Sequence, residues 1–269
     1  MPMRSTRSVR VHVASCVAAL TLMWAPTHAQ WVKVPAAAIP RTPDGKPNLS
    51  APAPRLPDGK PDLSGTWQPN GAGKYSTNLA ADLPADDVPF QPWARALYEE
   101  RKGGAHARED PPANCLPPGV PRIDAAPLPW KIVQAPRFVA IIYEDMNLWR
   151  QIFLDARELE PLAGIPSSWL GYSTGNWEGD TLVVDSRGFN GKAWLDQLGK
   201  PSTDALHVIE RFRRKDVGHM DIQITIDDPK AYTRPWTVTE EVHLLPDLEP
   251  LEFICNENNR DVEFLPGIK

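Results

Sequence analysis

Between residues 130 and 245, apolar and polar positions alternate in short runs separated by turn residues. Period two is the mark of strands that bury one face. The runs predict strands near 130–134, 137–144, 148–154, 168–177, 180–187, 206–214, 219–226 and 236–245. Short strands at this spacing predict an all-β domain, an antiparallel meander closing into a barrel. One hairpin can be registered from the pattern alone. Leu206, Val208, Glu210 and Phe212 share a face, and so do Met220, Ile222, Ile224 and Ile226. Both faces must meet one core, which pairs Phe212 with Ile222, Arg213 with Asp221 and His207 with Asp227. Asp216-Val217-Gly218 is then a three-residue loop, with Gly218 expected in the left-handed conformation. Asn176-Trp177-Glu178-Gly179-Asp180 reads as a second hairpin connection, turned by Gly179.

Upstream of residue 130 the pattern changes. One short helix is expected over Phe90–Lys102, with Trp93, Ala94, Leu97 and Tyr98 on one face and Gly103-Gly104 ending it. Residues 107–129 are Pro-rich and hold Cys115. Residues 30–63 form a Pro-rich leader with a tandem near-repeat, Pro43-Asp44-Gly45-Lys46-Pro47-Asn48-Leu49-Ser50 and Pro57-Asp58-Gly59-Lys60-Pro61-Asp62-Leu63-Ser64. Proline around Asp-Gly makes turns and extended backbone. The leader reads as a tether, or else its second copy docks on the domain and runs into a first strand. The organisation expected is 1–29 signal peptide, 30–63 leader and 64–269 β-barrel domain.

The first residues add a location. Arg4, Arg7 and Arg10 precede an apolar run from Val13 to Trp24, and Thr27-His28-Ala29 offers a cleavage site. This is the grammar of a secretory signal, and the run is shorter than the ~20 residues a membrane span needs. Val13-Ala14-Ser15-Cys16 has the look of a lipoprotein box, but its apolar run follows the cysteine instead of preceding it. The expected location is periplasmic or secreted, with no membrane insertion. Losing the signal takes the basic residues from 29 to 26 against 34 acids, for a net charge of −8. Such a chain has no electrostatic footprint for nucleic acid. The cluster Arg211, Arg213, Arg214 and Lys215 reads as a solvated strand end. Two cysteines remain, Cys115 and Cys255, and in an oxidising compartment they most simply form one disulfide. A catalytic thiol and a metal site are the alternatives to it.

Candidate chemistry lies where charges fall on apolar faces. Glu210 shares its face with Val208 and Phe212, Glu240 with Trp236, Val238 and Val242, and Arg150 with Leu148 and Ile152. Turned into one interior, these make either a structural Arg–Glu network or a polar centre in an apolar pocket. In the second case Glu210 or Glu240 moves a proton in a cofactor-independent isomerase, cyclase or lyase reaction, and Arg150 holds an anionic group. Trp169, Tyr172, Trp194, Tyr232 and Trp236 are the candidates for a pocket mouth around a small apolar or aromatic ligand. No metal or other cofactor is expected. His207 and His219 lie eight strand residues out of register, more than about 20 Å apart. Cys255-Asn256-Glu257-Asn258-Asn259 suits a capped turn better than a calcium loop.

Several motifs together resemble an uncharacterised family of exported bacterial proteins. They are Pro57-Asp58-Gly59-Lys60-Pro61-Asp62-Leu63-Ser64-Gly65-Thr66-Trp67, Cys115-Leu116-Pro117-Pro118-Gly119-Val120-Pro121-Arg122, Trp169-Leu170-Gly171-Tyr172-Ser173, Trp177-Glu178-Gly179-Asp180-Thr181-Leu182-Val183-Val184 and Ala231-Tyr232-Thr233-Arg234-Pro235-Trp236. The resemblance spans nearly all the mature chain and implies export; it transfers no catalytic residue. Gly65-Thr66-Trp67 also resembles the first strand of a lipocalin-like barrel, which implies a cup around a small ligand. The functions to weigh are therefore a binding protein, an enzyme built on the same cup, and an accessory protein that docks through its leader.

Overall fold

The computed structural model describes residues 39–71, 73–84, 87–157 and 166–257, so the expected signal and the first residues of the expected leader lie outside it. Nine strands close into a barrel in chain order. They are β1 (Gly65–Pro69), β2 (Trp130–Ala135), β3 (Phe138–Tyr143), β4 (Trp149–Phe153), β5 (Tyr172–Glu178), β6 (Thr181–Arg187), β7 (His207–Arg214), β8 (His219–Asp227) and β9 (Trp236–Leu244). Closure runs through β1, which pairs Trp67 with Trp130 of β2 and with Leu244 of β9. Gly65 sits at that joint with φ +141°, where a Cβ would come within 2.5 Å of Leu244.

The β7–β8 register is the one that alternation dictates: Phe212 faces Ile222, Arg213 faces Asp221 and His207 faces Asp227. One joint departs from a pure meander. β4 and β5 are parallel, joined through Ile152–Ser173 and Phe153–Thr174. Of the residues between these strands, 158–165 are outside the described residues. β5 also starts four residues later than expected. Gly171, at φ +67°, turns the chain where a Cβ would strike Phe189, and Ser168 bridges to Phe189 instead.

Gly218 has no positive φ. It is glycine for a different reason: a Cβ there would lie 2.5 Å from Leu49 Cβ. The leader is the neighbour that needs the space. Its two copies make the same hydrogen bonds fourteen residues apart, Thr42 N to Lys46 O and Leu56 N to Lys60 O, Asn48 N to Pro40 O and Asp62 N to Pro54 O. Within each copy an arginine also reaches the turn glycine, Arg41 to Gly45 O and Arg55 to Gly59 O. The first copy docks by Gly218 N to Leu49 O and Val217 N to Ala51 O. The second buries Leu63 completely, and its carbonyl takes the Trp67 indole hydrogen at 3.0 Å. Burial of one such leucine is worth about 1.5–3 kcal/mol. From residue 39 onward the leader is thus packed structure that covers one barrel end, not a tether.

The helix forms as α1 (Pro92–Arg101), started by proline in its first turn. It buries Ala94 and half-buries Leu97 and Tyr98. Trp93 points outward, 46% exposed, and donates its indole hydrogen to Lys230 O. Cys115 and Cys255 form the disulfide. Among the described residues no helix is long and apolar enough to cross a membrane.

Candidate functional site

The three charges on apolar faces do converge. Arg150, Glu210 and Glu240 point into the barrel and are at most 3% exposed. Arg150 grips Glu210 with both terminal nitrogens, one of them 3.2 Å from Oε1. Its Nε donates to Ser173 Oγ at 3.1 Å and its Nη2 to Ser186 Oγ at 2.8 Å. A third acid completes the set: Asp124 Oδ2 lies 3.5 Å from Arg150 Nη1, and Asp124 Oδ1 accepts the Tyr143 hydroxyl at 2.6 Å. Burial works against the Arg150 charge, but the two carboxyls outweigh it and hold its pKa above the ordinary arginine value. Burial, and then the Glu210 charge, push Asp124 up to about 7. Glu240 is raised well above the carboxylate range by burial and then by Asp124 and Glu210. Neither of its oxygens has a hydrogen-bond partner among the described residues. The centre therefore holds an arginine shared by two carboxyls, Glu210 and Asp124, and a third carboxyl, Glu240, that burial biases towards its neutral form.

Asp124 is the residue that sequence reasoning missed. It comes from the Pro-rich stretch, of which Pro118–Ala126 is buried without a break. A buried loop must satisfy its own backbone. This one does so with tight turns, Ile123 N to Gly119 O, Asp124 N to Pro121 O and Ala125 N to Arg122 O. Asp124 O takes the Trp130 indole hydrogen at 3.0 Å. Arg122 anchors the segment through two bonds to Asp110, 2.6 and 2.7 Å. The segment is a plug that fills the barrel from the end opposite the leader. Its small apolar residues have no period, so no pattern announced it.

The expected pocket aromatics do not line one cup. Tyr172 is on the outer face, stacked on Phe153 at 5.3 Å, and its hydroxyl accepts from Arg157. Trp169 is half-buried in the loop before β5, where its carbonyl borders Gly119 of the plug. Tyr232 and Trp236 do meet, edge to face at 5.5 Å, but the Tyr232 hydroxyl is spent on Pro201 O. Trp194 lies under the Arg101 guanidinium at 4.2 Å and borders a separate cavity of about 260 Å³ beside α1.

A larger cavity, about 380 Å³, opens at the leader end. It lies in the seam between the leader (Ile39, Pro40, Pro54), the barrel rim (Val217, Leu244) and the chain after β9 (Leu245, Leu248). Its buried cation is Arg214, 7% exposed and stacked over the Trp67 ring at 4.8 Å. Arg214 is the one member of the basic cluster that turns inward. Arg211 pairs outside with Glu178, and Lys215 with Asp221 and Glu241. Parity was the signal available, since Arg214 lies two residues on from Phe212 and four from Glu210. No carboxylate reaches it within ion-pair distance among the described residues. Its nitrogens donate to four backbone carbonyls, Asp216, Asp62, Ser64 and Val217. Burial lowers its pKa to about 10, against the opposing pull of Asp62 and Asp216. A third cavity, about 350 Å³, lies between α1 and the chain before it, bordered by Leu83, Phe90 and Tyr98. Arg150, Glu210 and Glu240 line none of these three cavities. No family model, curated protein or solved structure matches the chain.

Proposed function

We propose that this chain is an exported small-molecule-binding protein that holds an apolar ligand in the seam cavity, outside the barrel's centre. The observation that carries this reading is the cavity of about 380 Å³ walled by Val217, Leu244, Leu245 and Leu248, within the size range of small-molecule sites. Export is supported by the secretory signal read in the first 29 residues, by the disulfide and by the family resemblance. The same geometry works against the other two readings. Glu210 is committed to Arg150, and Glu240 meets no solvent from which a substrate would arrive. The leader is committed to its own barrel, through Arg55–Asp180, Arg41–Asp247 and the buried Leu63.

The test is a titration with N-phenyl-1-naphthylamine, a neutral apolar fluorophore. Saturable binding at one site is expected. Leu248→Trp, which places an indole in the cavity from a half-buried position, is expected to weaken it about tenfold or more. Binding that is non-saturable, or indifferent to Leu248→Trp, sinks the reading.

A further inference from the structure

The ligand's chemistry is written on the wall of that cavity. A guanidinium has five N–H groups. Arg214 gives four to backbone carbonyls, and one Nη2 hydrogen is left without an acceptor among the described residues. Carbonyls orient a cation without neutralising it. Two of the other charges on the cavity are matched by ion pairs: Lys131 pairs with Glu249 at 2.5 Å and Asp247 with Arg41 at 2.6 Å. Asp62, also on the wall and half-buried, takes the Ser64 backbone N–H at 2.9 Å and acts on Arg214 only from beyond ion-pair distance. Arg214 is therefore the buried cation of the cavity that no carboxylate touches, and it lies beside an apolar wall. A buried charge without a counter-charge is costly, and an incoming anion relieves that cost.

Resting on the binding reading above, we infer that the seam cavity takes a single-headed anionic amphiphile. Its oxyanion meets the spare Arg214 N–H, and its hydrocarbon lies along Leu244, Leu245 and Leu248. The leader supplies the opposite wall through Ile39, Pro40 and Pro54, so the ligand is held only while these residues stay docked.

The experiment compares four ten-carbon probes, decanoate, decyl sulfate, 1-decanol and decyltrimethylammonium, by displacement of N-phenyl-1-naphthylamine. A charge-assisted hydrogen bond gained in a buried site predicts that decanoate or decyl sulfate binds about tenfold or more tightly than 1-decanol, and the cation weakest of all. Whichever of the two anions leads identifies the headgroup. Arg214→Gln is expected to abolish the preference, so that in this variant the better anion binds no more tightly than 1-decanol. Arg214 also holds leader carbonyls, so this variant can fail to fold; the ranking of headgroups on the unaltered protein then decides alone. Equal or tighter binding of 1-decanol overturns the headgroup inference and leaves the binding reading standing. Anion binding that survives Leu248→Trp overturns it as well, by placing the site elsewhere. Failure of all four probes and of the fluorophore overturns both.

Discussion

Two arginines on the barrel strands are buried, and the protein treats them in opposite ways. Arg150, near the middle, is held by Glu210, by Asp124 and by two serine hydroxyls, in a space that solvent does not reach. Arg214, at the leader end, is held by carbonyls alone and borders a cavity. The two occupy equivalent parity on their strands and have nearly the same exposure. Charge on an apolar face thus marks burial, while the type of partner marks the role. A cation closed by carboxylates fastens the interior. A cation closed by carbonyls is oriented with no counter-charge in contact.

Breaking each side should expose the difference, and the largest effect belongs to Arg150. Arg150→Met strands Glu210 and is expected to cost about 3–5 kcal/mol, recovered in large part by adding Glu210→Leu. Arg214→Met strands no carboxylate and is expected to cost less, about 1–3 kcal/mol. Denaturant melts of the three variants decide this, and equal losses at the two arginines would erase the contrast.

The pH dependence comes next. Asp124 has an ordinary carboxylate pKa in the unfolded chain and about 7 in the fold, so the folded chain holds the extra proton between these values. Its contribution therefore makes stability fall as pH rises from about 4 to 7, by up to about 1 kcal/mol per pH unit. Asp124→Asn should make that slope shallower, leaving the part of the same sign that Glu240 contributes, while Arg214→Met leaves it in place. A melt series in which Asp124→Asn keeps the full slope would detach it from Asp124.

The smallest effect is a gain. Glu240 carries a buried carboxyl with no hydrogen-bond partner among the described residues, so Glu240→Met is expected to stabilise the protein by about 1 kcal/mol near neutral pH. A loss measured in the same melts would mean that Glu240 is held by something the fold needs.

The sequence made the strands legible because alternation is a local signal. The β7–β8 register follows from two apolar faces that must share a core, and the inward turn of Arg150, Glu210 and Glu240 follows from the same parity. What stayed hidden depends on contacts between segments distant in the chain. Asp124 reaches the centre from a loop without a period, nineteen residues before the Tyr143 that binds it. Gly218 had a local reading as a turn glycine, but Leu49, far upstream, is what forbids a side chain there. Ring chemistry alone groups Tyr172 and Trp194 with Tyr232 and Trp236, and nothing in the residues between them reveals that they lie on separate surfaces. Arg214 was legible by parity, yet the run of basic neighbours obscured it.

The disulfide divides the chain by how it would carry mechanical load. Cys115 and Cys255 lie 140 residues apart, and strands β2 to β9 fall between them. Tension applied at the two termini passes through the sulfur bridge and bypasses these eight strands, leaving the leader, β1, α1 and the rest of the chain before Cys115 in the line of pull. The wall of the seam cavity formed by Leu245 and Leu248 belongs to the shielded loop, and the wall formed by Ile39, Pro40 and Pro54 does not. A tug on the N-terminus would therefore peel back one side of the cavity while the covalent ring held the other in place.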